Sequence, residues 1–205
     1  MLNRFVSGKI RVCLLAAVLL MNATIVQAFD HQHQLLTQVL SDVVQLSPNN
    51  KQTRVDYGLL FKQPEQLNQY LAQLSLVKQS EYQLWTGDEQ LSFLINAYNG
   101  FTLQLIIQNY GKFQNGKADS IKDLGSFFSR PWKQAFFTLL DKKRSLDDVE
   151  HKMIRVWFQR PRIHAALVCA AVSCPPLRNQ AFVADKLDQQ LDDQMSQFLS
   201  TRYGR

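Results

Sequence analysis

Cys169 and Cys174 carry the first chemistry visible in this sequence. They stand five residues apart, one inside the apolar run 163–172 and one at its exit, in Ser173-Cys174-Pro175-Pro176. Three fates compete for them. They can bridge if the chain doubles back at once, although so short a loop constrains the unfolded chain little. Cys169 can serve as a small core hydrophobe. Cys174 can act as a nucleophile, because proline pushes the residue before it into extended backbone and a preceding strand would hold it rigidly. A thiolate near neutral pH needs a base within hydrogen-bond reach, and His151 and His164 are the candidates. If 163–172 is a straight strand, His164 and Cys174 end roughly 30 Å apart at about 3.3 Å per residue, and His151 is the better partner. If the segment is helical or sharply bent, the choice reverses. Two cysteines and two histidines could also ligate zinc, but neither C-x-x-C nor H-x-x-x-H spacing occurs among them. Neither a metal nor a cofactor is expected.

Two helices must position these groups. Over 88–109 apolar residues point in every direction, which predicts a helix buried on most sides. Set into it are Asn96 and Asn99, one turn apart and so neighbours on its surface. A buried amide must find partners or cost roughly 1–3 kcal/mol. The pair can bind loop backbone and pin the fold, or one of them can orient a catalytic group or a substrate carbonyl. The second helix starts at Ser145-Leu-Asp-Asp148, which resembles a capping box with acids in the first turn, and runs to Gln159. Leu146, Val149, Met153 and Trp157 form its apolar stripe, with Glu150 inside the stripe and His151 at its edge. A carboxylate on a core face needs a partner, and histidine or arginine is the natural one.

The remaining chain supplies a scaffold. Helical spacing predicts an amphipathic helix over 31–46, and His31 and His33 are expected in a frayed terminus. A turn at 47–50, an extended piece near 54–60 and a helix over 64–77 follow. Glycines and Pro131 make 111–131 a long loop with at most one short helix. Residues 136–140 read as a strand running into a turn, 163–172 as a buried strand, and 183–199 as a last amphipathic helix with Leu187, Leu191, Met195 and Phe198 inward. The expected architecture is α+β: a single, mostly helical domain with a small sheet that includes 163–172.

The first residues form a leader. Arg4, Lys9 and Arg11 precede an apolar run, 12–21, and then Val26-Gln27-Ala28, the pattern of a cleavable signal peptide over 1–28. The run is shorter than the roughly 20 apolar residues of a membrane span. Cleavage removes three cations, no anion and Cys13, so the formal charge of +6 falls to +3. That excess is too small to point to nucleic acid, and Lys142-Lys143-Arg144 reads as a solvated turn. The mature domain, 29–205, is therefore expected to be exported, periplasmic in a Gram-negative cell and secreted otherwise. It should act on a small molecule or peptide, without nucleic acid and without stable membrane insertion.

Four stretches in order, Leu91-Ser-Phe-Leu-Ile-Asn-Ala-Tyr-Asn99, Ser120-Ile-Lys-Asp-Leu124, Ser145-Leu-Asp-Asp-Val-Glu-His151 and Arg162-Ile-His-Ala-Ala-Leu-Val-Cys-Ala-Ala-Val-Ser-Cys-Pro-Pro-Leu177, resemble the domain-of-unknown-function family 547 over residues 85–199. The resemblance implies exported bacterial relatives, and plant relatives joined to a leucine-zipper region, with no assigned activity. It singles out Asn96, Asn99, Glu150, His151, His164 and Cys174. Relatives run on past the last helix with a segment rich in serine, phenylalanine and tryptophan; set against that pattern this chain, stopping at Arg205, is either a shortened member or lacks part of the domain. The expected function is a cysteine-dependent hydrolase or acyltransferase. Cys174 is the nucleophile, His151 or His164 the base, and Glu150 and Asn96 the orienting groups. The alternative is a non-catalytic binding module whose buried polar residues only specify the fold.

Overall fold

A 22-residue helix, α5 (Gly87–Gln108), is the axis of the molecule in the computed structural model, which describes residues 28–47, 52–117, 121–124, 130–170 and 174–201. The expected leader lies outside these residues apart from Ala28, as do Ser120, Ala171 to Ser173 and the last four residues. Thr86 starts α5 with a reciprocal capping box: its hydroxyl accepts the Glu89 N–H, and the Glu89 carboxylate accepts the Thr86 N–H at 2.8 Å. Every residue from 91 to 103 is buried, as an all-round apolar helix demands. Burial is possible because neighbours cover each side.

Helix α3 (Glu65–Leu76) crosses α5 at Gly100, where a Cβ would meet Leu71 at 3.0 Å. A larger residue there would push the two helices apart. Helix α1 (Gln34–Val43) packs on α3, and α2 (Tyr57–Lys62) lies against α5. Short helices α4 (Gln79–Tyr82) and α6 (Tyr110–Gln114) flank the two ends of α5. Within 111–131 the described residues hold the end of α6, a 3-10 turn, Ile121–Leu124, and the start of another, Pro131–Lys133, more helical pieces than the one expected.

The sheets are small. β1 (Val44–Leu46) pairs antiparallel with β2 (Thr53–Val55), Val44 opposite Val55. β3 (Phe137–Leu139) pairs with β4 (Lys142–Arg144) across a tight turn whose Leu140 and Asp141 both take positive φ. Phe137 stacks on Phe101 of α5 at 3.8 Å between ring centres, fixing this hairpin to the core. The protein is thus a mostly helical α+β domain, but among the described residues 163–170 is not part of either sheet. Pro161 instead opens a 3-10 helix, Pro161–Ala165, its fixed φ suiting the first helical position. Described residues beyond it are irregular. A continuous apolar run signals burial, and burial alone does not choose a strand.

The expected helix over 145–159 forms with a change of pitch. Ser145 and Asp148 cap it reciprocally, the Asp148 N–H bonding the Ser145 hydroxyl at 3.1 Å and the Ser145 N–H bonding the carboxylate at 3.0 Å. Asp148–Ile154 is then a π-helix that runs into α7 (Arg155–Trp157). The wider π turn rotates later residues off a 3.6-residue stripe. Leu146, Val149 and Met153 are buried as expected, Ile154 joins them, and Trp157 emerges 44% exposed. The last helix, α8 (Leu187–Ser200), packs on the 3-10 helix at Pro161–Ala165.

The amino-terminal segment is anchored, not frayed. Phe29 stacks on Trp85 and meets Phe93 edge-on, and Asp30 accepts the N–H groups of Gln32 and Gln34. His33, in left-handed backbone at φ 47°, is 1% exposed. Its Nδ1 shares a 2.7 Å hydrogen bond with the Tyr70 hydroxyl, while Nε2 has no partner among the described residues. Burial pushes this imidazole down to about 3, from 6.5. The unfolded chain therefore takes up the proton first. The stability that neutral His33 allows is present above pH 6.5 and is lost as pH falls toward 3. Between pH 7 and pH 5 the unfolding free energy is expected to drop by about 2 kcal/mol. Urea titrations at the two pH values check this, and His33→Asn, which tolerates the same backbone, should flatten the dependence. A wild-type stability that does not change across this window rules out a buried neutral imidazole.

Candidate functional site

The segment 166–183 carries both cysteines, and its described residues, 166–170 and 174–183, have almost no regular structure, so their buried backbone groups need other partners. Side-chain amides supply them. Asn99 of α5 donates to the Ala166 carbonyl at 2.9 Å and accepts the Val168 N–H at 3.1 Å. Asn96, one turn earlier, donates to the Phe182 carbonyl at 2.7 Å and accepts the Phe182 N–H at 2.9 Å. From α8, Gln190 donates to Ala181 and accepts from Val183, both at 2.9 Å, and Gln194 donates to the Pro176 carbonyl. Asn96 and Asn99 therefore follow the fold-pinning expectation.

Between these clamps the chain turns sharply. Ala170 takes φ 54°, a left-handed conformation unusual for a residue with a Cβ. Cys169 and Cys174 are joined as a disulfide with their Cα atoms 5.9 Å apart. Of the fates open to the two cysteines, bridging is the one formed. In this form Cys174 has no thiol to ionise, and the chain doubles back between the two cysteines, as a bridge over so short a loop requires.

Cys174, Pro175, Pro176 and Leu177 form one wall of a cleft of about 270 Å³. The opposite wall comes from β2 with Gln52 before it and from the start of α2, and its polar groups are Gln52, Thr53, Arg54 and Tyr57. Arg54 is exposed and has no carboxylate partner among the described residues. Burial pushes the Tyr57 phenol up to about 12, so it stays an uncharged hydrogen-bonding group at ordinary pH. No histidine lines this cleft among the described residues.

The other expected site residues lie elsewhere. Glu150, on the π-helix, finds the predicted arginine: Arg155 reaches its Oε1 with Nη2 at 2.7 Å and Nε at 3.2 Å. Nearby, the phenol of Tyr98 on α5 is pushed up by burial first and by the charge of this carboxylate second. His151 points outward, its side chain 51% exposed, with Nε2 4.0 Å from both Asp147 and Glu150. His164 sits on the 3-10 helix in a second cleft, of about 490 Å³, with Arg155, Phe158 and Arg160. Arg160 is itself held by Asp88 at 2.7 Å. Of the expected site residues, Glu150 and His151 lie together at 4.0 Å, while Cys174, His164 and Asn96 belong to other places: the Cys174 cleft, the His164 cleft and the buried Phe182 clamp. Among the described residues no cluster of three or more histidine, cysteine or acidic side chains could hold a metal. No described helix is long and apolar enough to cross a membrane.

Sequence reasoning missed Gln190 and Gln194, which are 6% and 1% exposed. Their signal was available. Both share the inward face of α8 with Leu187 and Leu191, and a glutamine on an apolar stripe calls for a buried partner.

The family model described as "Protein of unknown function, DUF547" matches residues 82–199, more than half of the chain, and the chain belongs to that family. Neither a curated protein nor a solved structure matches it. The matched span contains α5, the π-helix, the disulfide and nearly all of α8, which together build every amide clamp. Truncating one clamp is the direct check on its role. Asn96→Ala leaves the Phe182 N–H and carbonyl buried without partners, an expected loss of roughly 2–4 kcal/mol in denaturant unfolding. A loss below about 0.5 kcal/mol means that water reaches Phe182 and the clamp is dispensable.

Proposed function

We propose that this DUF547 protein is an exported binding module whose cleft, between β2 and the disulfide-closed segment, takes a small ligand bearing a carboxylate. The Cys169–Cys174 bridge in the cleft wall carries this reading. A sulfur held in a disulfide is no nucleophile toward an acyl group, and the described lining of the cleft holds no imidazole to activate one. What the cleft does present is a guanidinium without a carboxylate partner, an uncharged phenol and an apolar floor of Val55, Val168 and Leu177. Guanidinium pairs with carboxylate through charge-assisted hydrogen bonds, and the phenol adds a neutral donor or acceptor. The ligand is a small molecule or a short peptide end, in keeping with the size of the cleft. Export is supported by the basic, apolar and small-residue order of the leader, and a bridged cysteine pair suits the oxidising compartment it leads to.

Two measurements test this. The chain recovered from the exported fraction is expected to have the intact mass of residues 29–205, and a mass that retains the leader removes the export reading. In ligand-observed NMR, short N-acetylated peptides with a free C-terminal carboxylate are expected to bind and their C-terminal amides not to bind. Arg54→Ala should weaken binding about tenfold, the worth of one charge-assisted hydrogen bond, with the circular dichroism unchanged. Equal binding of acid and amide overturns the carboxylate preference. Turnover of a p-nitrophenyl ester that disappears in Cys174→Ser overturns the binding module and restores the thiol hydrolase expected from sequence.

A further inference from the structure

We propose that the Cys169–Cys174 disulfide is a thiol–disulfide exchange site, with Cys174 the sulfur attacked by a dithiol. Its place in the fold separates it from bridges that hold a domain together. Closing a loop of so few residues constrains the unfolded chain little. The flanks of the loop are fastened without it, at Ala166 and Val168 by Asn99 and at Pro176 by Gln194. Opening the bridge therefore leaves the surrounding contacts in place. Ala170, left-handed without being glycine, holds local strain that an open chain can release. Disulfides that contribute little to stability and lie open to attack are the exchangeable ones.

The two sulfurs are not equivalent. Cys174 lines the cleft and Cys169 is absent from its described lining, so a thiolate entering the cleft reaches Cys174. Arg54 stands in the same cleft, where its charge favours thiolate over thiol. In the first step the incoming thiolate bonds Cys174 Sγ, the Cys169–Cys174 bond breaks, and its electron pair leaves with Cys169, which takes a proton. In the second, the other thiolate of the dithiol attacks its own sulfur in the mixed disulfide. Cys174 then leaves as a thiolate, and the dithiol departs as a disulfide. Two electrons pass to the protein. One proton is taken up by Cys169 and the second by the Cys174 thiolate from solvent, which holds the two protons the dithiol gave up on ionising. The reverse sequence restores the bridge. The reaction is stoichiometric and does not require a ligand in the cleft.

Trypsin places both cysteines in one peptide, 163–178, apart from Cys13. Native full-length protein is treated with dithiothreitol, quenched, alkylated and digested. This peptide is expected to be fully alkylated while the far-UV circular dichroism is unchanged, and oxidised glutathione should close the bridge again. In Cys169→Ser, oxidised glutathione should add to Cys174 roughly tenfold faster than to Cys169 in Cys174→Ser, since access sets the rate. A bridge that opens only in denaturant overturns exchange. Equal or faster reaction at Cys169 overturns the assignment of Cys174 as the attacked sulfur. The wild-type arm stands even if either serine variant fails to fold, and Arg54→Ala binding is read separately.

Discussion

The fold depends on satisfying the backbone of a buried segment that forms neither helix nor strand. Seven of its polar groups, at Ala166, Val168, Pro176, Ala181, Phe182 and Val183, are bonded by four side-chain amides. Leaving even two such groups unpaired costs roughly 2–6 kcal/mol, a large share of the roughly 5–15 kcal/mol that holds a domain together. An amide suits the task because it offers a donor and an acceptor side by side, as a neighbouring strand does. Asn96 and Gln190 serve adjacent backbone from opposite sides, so α5 and α8 are joined through the loop that both clamp. The clamped positions of the loop are thereby held rigidly to the two helices.

That rigidity decides what the cleft wall is. The Cys174 segment is presented toward β2 by contacts on its buried side, leaving its outer side to face Arg54 and Tyr57. The π-helix makes a parallel connection on another flank of α5. There Glu150 pairs with Arg155, and its charge lies close enough to Tyr98 of α5 to push that phenol up. A wider turn places Glu150 over α5 and simultaneously exposes Trp157. One backbone irregularity therefore accounts for both the carboxylate on the core face and the failure of the apolar stripe.

Much of this was legible in the sequence where a local rule and a tertiary requirement agree. The long helix, its two asparagines, the Ser145 cap and the last amphipathic helix all follow from periodicity and polar exceptions within it. The segment 163–172 was misread because periodicity reports burial, while the choice of strand depends on whether a neighbour supplies hydrogen bonds. Here Asn99 supplies them, from far away in the chain. His33 was misread for a similar reason. Its position next to the expected leader suggests a loose end, yet Phe29 inserts among Trp85 and Phe93 and draws the next residues inside. Neither partner set is visible in a local window.

The same separation of local and tertiary information explains the cysteines. Spacing alone allowed a bridge or a free thiol, and it could not say where an imidazole would stand. The structure puts His151 beside Asp147 and Glu150, and His164 beside Arg155 and Arg160, so each imidazole sits among charges unrelated to sulfur. A thiol without a base remains protonated near neutral pH, and in an oxidising compartment its nearest reactive group is another thiol. Cys169 is five residues away and held in reach by the turn at Ala170. Pairing is then the reaction that proximity favours, and the chemistry left to Cys174 is that of a sulfur that can be exchanged rather than one that attacks a carbonyl.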